Sequence, residues 1–414
     1  MGTVAVVRKL RGAPEPPEPI EWDWFTAPVT AFTGTSLGID SGQVGPDGDE
    51  PATFFVFGFM TGVVPTTGGL QLAIVLDPAA PTPTTLVGAQ NQVVAGSGGS
   101  FLLPAFFTMP PGEMHNFRLR QDLAVIMPPG TIGGMGVPPT AMRLFGFEVP
   151  GAIEPLTNSL PTDTASSGAP LELNIPFTRR GSGTFLFFGF ASANSSGYPQ
   201  LSLILDPEGS AQTLVLSRQF APSLTGASLT LLAPVTLADS NAHSIRLQLD
   251  ATVPTPVPGT LAASTVDVPA MGMVLMGFEV PPGAAMNLLL ATYEGSGTVS
   301  VGAPLTTRAS ITSQTSGQWV VFGFASIAGS APGPQLSILA NPDTGASVIA
   351  TARQYNAALA TLATMGLFYS TVGASDVLQL QLDADTGTAS VPASAIGSVG
   401  PPLYGMVLFG WELP

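Results

Sequence analysis

Histidine occurs only twice, at His115 and His243. Both stand at matched places, just ahead of the segments FRLRQD (Phe117–Asp122) and IRLQLD (Ile245–Asp250). An imidazole can ligate a metal, act as a base or switch with pH, so a matched pair invites each of these readings. A metal site needs companion ligands at defined spacing, and neither histidine has a recognisable set around it in sequence. Cysteine is wholly absent. Thiolate zinc sites, iron–sulfur clusters, disulfide frameworks and Cys nucleophiles are therefore excluded. A third copy of the segment carries Asp376 near the same place. The expectation for both histidines is a polar contact at a strand entrance.

Carboxylates are the next candidates. Asp47-Gly48-Asp49-Glu50 is an acidic cluster, and Asp383-Ala384-Asp385-Thr386-Gly387 begins like a calcium loop without completing one. Neither recurs elsewhere in the chain, so both read as solvated turns. Glu148, Glu279 and Glu412 do recur, each after an aromatic residue and shortly before a proline. Two carboxylates about 5–10 Å apart could cleave a glycosidic bond. Recurrence once per segment instead favours a structural contact at a strand end, with an arginine as a natural partner. Gly58, Gly189 and Gly323 are flanked by aromatic residues and could line a groove; their threefold recurrence favours close packing. Asn194-Ser195-Ser196 matches a glycosylation acceptor, but the opening residues show no apolar secretion core. With no HExxH, phosphate-loop or dinucleotide pattern, no cofactor or metal is implied and the chain does not read as an enzyme.

Composition narrows the partners. Only 9% of residues are charged, 12 Lys+Arg against 27 Asp+Glu, for a net charge of −15. Lys9 is the sole lysine and the arginines are scattered, which argues against a nucleic-acid surface. Apolar stretches are cut by Gly, Pro, Ser or Thr every few residues, so no membrane helix is expected.

The elements that must position these residues repeat. Four markers recur three times, in the same order, at a period of about 130 residues. The opening marker is FFVFGF (Phe54–Phe59), FLFFGF (Phe185–Phe190) and WVVFGF (Trp319–Phe324). Next come QLAIVLDP, QLSLILDP and QLSILANP, starting at Gln71, Gln200 and Gln335. The third is the pair of segments above with LQLQLD (Leu378–Asp383), and the closing marker is LFGFEVP (Leu144–Pro150), LMGFEVP (Leu275–Pro281) and LFGWELP (Leu408–Pro414). LSRQF (Leu216–Phe220) and TARQY (Thr351–Tyr355) match each other but nothing in the first copy, which is the divergent one. The division is an arm (1–24) and three units (25–150, 151–281, 282–414).

Alternation of Ile245, Leu247 and Leu249 with Arg246, Gln248 and Asp250 has the period of a half-buried strand. The opening and closing markers are apolar on both faces, as strands between two packed layers would be. The DP and NP steps are turn chemistry. Only the Ala-rich stretch Gln354–Met365 suggests a helix. The expectation is an all-β protein: three tandem homologous β-sandwich, jelly-roll-like domains after an extended N-terminal arm.

The arm carries Arg8, Lys9 and Arg11, then the proline-rich Ala13–Pro19, then Trp22 and Trp24. Proline density enforces an extended chain. Two readings stand side by side: a tail whose aromatics tuck onto unit one, or an anchor in which Arg8, Lys9, Arg11, Trp22 and Trp24 grip a partner. In composition and architecture the chain resembles structural proteins of tailed-phage virions, the β-sandwich capsid decoration (cement) and tail or fibre proteins. The resemblance implies a non-enzymatic capsid decoration protein, assembled in the host cytoplasm, anchored by its arm to the major capsid protein or other virion proteins. Independently, three similar units in one chain can arrange with pseudo-threefold symmetry and imitate a homotrimer, and self-association is open. The alternative is a tail, fibre or surface module that recognises a carbohydrate or host receptor through loops of the β repeats.

Overall fold

The computed structural model describes residues 22–28, 37–46, 48–63, 68–93, 98–121, 140–149, 153–162, 164, 169–197, 199–219, 221–250, 269–281, 287–311, 317–329, 333–354, 359–370, 376–384, 388–391 and 399–413. Unit one holds β1 (Trp22–Pro28), β2 (Leu37–Val44), β3 (Ala52–Val63), β4 (Gly68–Leu76), β5 (Thr84–Val93), β6 (Gly98–Met109), β7 (His115–Gln121) and β8 (Thr140–Glu148). Unit two holds β9 (Leu156–Leu160), β10 (Leu171–Thr178), β11 (Thr184–Gly197), β12 (Gln200–Leu205), β13 (Gln212–Arg218), β14 (Ala221–Thr236), β15 (Ala242–Asp250) and β16 (Met273–Glu279). Unit three opens with β17 (Leu288–Glu294), β18 (Gly297–Ser300), β19 (Leu305–Ile311), β20 (Gln318–Gly329) and β21 (Gln335–Ala340). After the single helical turn α1 (Pro342–Gly345) come β22 (Ser347–Arg353), β23 (Leu359–Tyr369), β24 (Asp376–Asp383), β25 (Thr388–Val391) and β26 (Tyr404–Leu413).

One wiring is built three times. In unit one the first, eighth, third and sixth strands form one sheet (β1-β8-β3-β6), and the second, seventh, fourth and fifth form the other (β2-β7-β4-β5). Unit two repeats the order as β9-β16-β11-β14 over β10-β15-β12-β13. Unit three does so as β17-β26-β20-β23 over β19-β24-β21-β22. It adds only the short β18–β25 pair at the far end of β20. Two four-stranded antiparallel sheets in this order make a jelly roll, so the chain is an all-β, multi-domain sandwich protein. By wiring, unit three is the one that departs, although unit one is the more divergent in sequence.

Two expectations change. Gln354–Met365 is not a helix where it is described: Leu359–Tyr369 is an eleven-residue strand paired along β20. Alanine favours helix, but pairing with the aromatic opening marker overrides that preference. The division at residue 24 also falls inside a strand. The backbone of β1 pairs with β8 from Trp22 onward, so the first sheet begins at Trp22. Having no counterpart in the repeats, WDWFTAP gave no sign in sequence that it completes the first sheet.

The opening marker shows why its glycine recurs. Gly58, Gly189 and Gly323 face the second sheet of their own unit, where Leu119, Leu247 and Leu380 reach across the sandwich. A Cβ at these positions would lie 2.4, 2.6 and 2.5 Å from the respective leucine Cδ1. Glycine is therefore a packing residue, the hole into which a fully buried leucine fits. Gly189→Ala should destabilise the protein by about 1–3 kcal/mol in urea unfolding. Combined with Leu247→Val, which shortens the opposing side chain, it should cost less than the sum of the single changes; strict additivity would refute the contact.

Candidate functional site

The opposite face of the same strands is also apolar and needs a cover. Alternation along β3 sends Val56 and Gly58 inward and Phe55, Phe57 and Phe59 outward, and all three phenylalanines are fully buried. Their cover is the equivalent face of the other two units. Phe57, Phe188 and Phe322 form a triangle, with ring centroids 4.7, 5.1 and 5.5 Å apart. The closing marker builds a second triangle from Phe147, Phe278 and Trp411, at 5.6, 6.0 and 5.9 Å. Each triangle takes one ring from each unit at the same register position, so the three jelly rolls stand around a pseudo-threefold axis. One continuous apolar cluster joins the axis to the interiors of units one and two. The sandwich interior of unit three is a separate cluster.

Polar contacts close the ring head to tail. Ala270 and Met271 donate their backbone N–H groups to the carbonyls of Thr85 and Leu86, so the segment before β16 caps the edge strand β5 of unit one. Leu403, before β26, does the same to Thr213 of β13 in unit two. Hydroxyls repeat the pattern. Ser228 Oγ accepts from Gln90 N at 3.0 Å, and Ser100 Oγ accepts from Arg353 N at 2.9 Å. Gln90 and Arg353 hold the same register place, opposite Gln71 and Gln335. The first bond joins unit two to unit one and the second joins unit one to unit three. Interfaces of this kind are heterologous, and three of them close a ring.

Unit one also carries Arg143 on its axial face, where units two and three have Val274 and Val407. Arg143 is 1% exposed. Its guanidinium donates to the carbonyls of Ile349, at 2.7 Å, and Met365 in unit three, and lies over the ring of Phe59. Burial pushes its pKa down to about 9, which still leaves it charged at neutral pH. The signal was present in sequence as a charge inside an otherwise apolar strand.

The other candidate residues find structural partners. Glu279 accepts from the backbone N–H groups of Arg180, Gly181 and Gly183 at 2.9, 2.8 and 2.8 Å. Glu412 accepts from the Asn287 side chain. Glu279 and Glu412 thus secure strand ends as expected, with amide groups among their donors. Asp383 accepts from Gln381, while Asp385–Gly387 and Asp47 lie outside the described residues. Among the described residues no group of three or more His, Asp and Glu is placed to hold a metal ion. The arginines Arg118, Arg180, Arg246 and Arg308 are paired with Asp40, Glu154, Glu172 with Glu208, and Asp343. Of the candidate anchor residues, Trp22 and Trp24 stand opposite Phe147 and Phe145 on β8; Arg8, Lys9 and Arg11 lie outside the described residues.

No protein-family model and no curated protein matches the sequence. Solved structures with a likeness to it include a tandem CBM22 pair from Paenibacillus barcinonensis Xyn10C, at 10% identity over 62% of this chain and 91% of that one, TM-score 0.19. The PBCV-1 virus capsid matches at 10% identity over 65% and 94%, TM-score 0.17. Infectious bursal disease virus, Gx strain, matches at 8% identity over 90% and 80%, TM-score 0.21. The neighbours thus include viral capsid proteins and a carbohydrate-binding pair, at TM-scores too low to carry an argument about this chain. The jelly-roll assignment rests on its own strand order.

Phe188→Ala should remove about 3–5 kcal/mol of stability, because its ring touches two other units and cannot be replaced by solvent. Arg143→Ala should cost about 2–4 kcal/mol by stranding two buried carbonyls and leaving a hole, and Arg143→Met should cost less by filling it. Urea unfolding of both variants would test this; an Arg143→Ala protein as stable as the parent would remove Arg143 from the seam.

Proposed function

We propose that the chain is a non-enzymatic structural protein of a virus particle, a capsid decoration protein seated where the shell has local threefold symmetry. The observation that supports this reading is the closed ring of three jelly rolls about a filled apolar axis. Such a body offers three similar outward surfaces to three equivalent subunits, as a homotrimer would. Its sparse charge suits contact with protein surfaces. The excess of carboxylates, with four described arginines already paired, favours protein partners over nucleic acid. In this reading the N-terminal arm grips the major capsid protein through Arg8, Lys9 and Arg11, and the assembled protein resides in the virion. A tailed phage as the source is part of the same proposal.

The test is density-gradient sedimentation of the native protein from its source lysate, with mass-spectrometric copy counting. The expected result is a band of particles holding the chain in fixed, high ratio to a shell protein. A few copies per particle would instead indicate a tail or fibre component, and protein found only as free chain at the top would overturn the virion reading. A chain lacking residues 1–20, which leaves β1 whole, should fold but fail to bind particles; full binding would refute the anchor.

A further inference from the structure

Each histidine is held between two carboxylates at the mouth of a turn. His115 Nδ1 lies 2.6 Å from Asp77 Oδ2, and its Nε2 lies 3.1 Å from Glu113 Oε2. His243 repeats this, with Nδ1 2.8 Å from Asp206 Oδ2 and Nε2 3.0 Å from Asp239 Oδ1. Sequence analysis found the pair but not its companions: Asp77 and Asp206 arrive from a turn on a neighbouring strand, and Glu113 and Asp239, two and four residues upstream, were not recognised as partners.

These aspartates form the pivots of the turns that follow β4 and β12. Both adopt a left-handed backbone, φ 50° and 48°, at a real cost for a residue with a Cβ. Each is tied across to the next strand: Asp77 donates its N–H to Asn116 O and accepts from Asn116 N, and Asp206 does the same with Ser244. Unit three builds the same turn with other chemistry. Asn341, φ 49°, donates its side-chain amide to Asp376 at 2.7 Å and exchanges the same backbone bonds with Val377. The geometry is preserved, yet the proton holding it comes from an amide rather than an imidazolium.

A neutral imidazole has one N–H, so it cannot donate to two carboxylates at once. When the ring loses its proton, one of its nitrogens must turn a lone pair toward an anion. No other charge compensates among the described residues. Beside His115, β6 presents Phe107 and β2 presents Val44, and the next charges are Arg118 on β7 and Asp40 on β2, bound to each other. Beside His243, β10 presents Phe177; Arg179, just after it, donates to the carbonyls of Gly181 and Ala238, and Arg246 farther along β15 is engaged by Glu172 and Glu208.

We propose that the two histidine clasps are pH-controlled latches on the turns after β4 and β12, closed while the imidazoles are protonated and loosened when they are not, with the turn after β21 as a built-in pH-independent counterpart. Burial alone would push His115 down, but its hydrogen bonds to Asp77 and Glu113 and their charges outweigh this and hold its pKa above the ordinary 6.5. The hydrogen bond to Asp239, opposed by burial and aided by Asp206, raises His243 likewise. A raised folded value means that the stabilisation is complete below 6.5 and is lost as pH climbs past the folded pKa.

Hydrogen exchange of the full chain, corrected for the intrinsic pH dependence of exchange, would test this across mildly acidic to alkaline pH. Protection of residues 77–83 and 206–211 should fall several-fold as pH rises, while that of 341–346 stays constant. The double substitution Asp77→Asn with His115→Asp transplants the unit-three pair and should abolish the pH response of 77–83 while leaving 206–211 responsive. Equal pH behaviour of all three turns in the parent chain would overturn the proposal, as would an unchanged response of 77–83 in a folded variant. Imidazole NMR titration gives an independent check, since two unshifted histidine resonances would also refute it.

Discussion

Burial of the axial aromatic face is the constraint on which the rest of the structure depends. A strand that presents Phe55, Phe57 and Phe59 on one side and Phe54, Val56 and Met60 on the other must be covered twice. A single jelly roll covers only the inward side, leaving several large rings in water at roughly 25 cal/mol per Å². Three copies around an axis satisfy each other, and the two triangles of rings are the result. This explains features that look unrelated in the sequence. The opening and closing markers lack polar alternation, their glycines make room for leucines of the second sheet, and few positions are left where a charge would be tolerated.

Joining the copies in one chain relaxes what symmetry would otherwise impose. A true homotrimer carrying an arginine at the position of Arg143 would bury three guanidiniums without carboxylate partners, each costing several kcal/mol of desolvation. The fused chain buries one, answers it with carbonyls of Ile349 and Met365, and keeps valine at the other two places. The same freedom permits the β18–β25 pair in unit three and the exchange of a His–Asp clasp for Asn–Asp. Interior positions obey the threefold pattern most closely, because a change there is felt across the axis by two neighbours.

That division explains what could be read in advance. The four marker strands of each unit, their order along the chain and the threefold repeat were legible, since alternation and recurring markers report the local environment directly. The packing role of Gly58 and the strand-entrance role of His115 followed from recurrence. The helical reading of Gln354–Met365 failed because alanine's helix preference is weak beside tertiary pairing, and β20 supplied the deciding partner. The extent of β1 was hidden because Trp22–Pro28 has no counterpart to be aligned with. The partners of Arg143, and Asp77 and Asp206 beside the histidines, lay beyond reach for another reason: other units and distant turns bring them in, at separations that no local pattern encodes.

A pseudo-symmetric body differs from a symmetric one in how it can meet a threefold partner. Surfaces shared by all units can be matched three times at once, giving the avidity of three contacts for one ordering cost. Features present once cannot be matched in this way. The sequence before Trp22, with its cations and prolines, occurs once for three jelly rolls, and the seam of Arg143 once for three seams. On a strict threefold site an exposed feature of this kind would have three equivalent places available and fill one, whereas the buried Arg143 only distinguishes one seam within the body. The repeated interior thus builds the pseudo-threefold body, and the single Arg143 distinguishes one of its three seams from the other two.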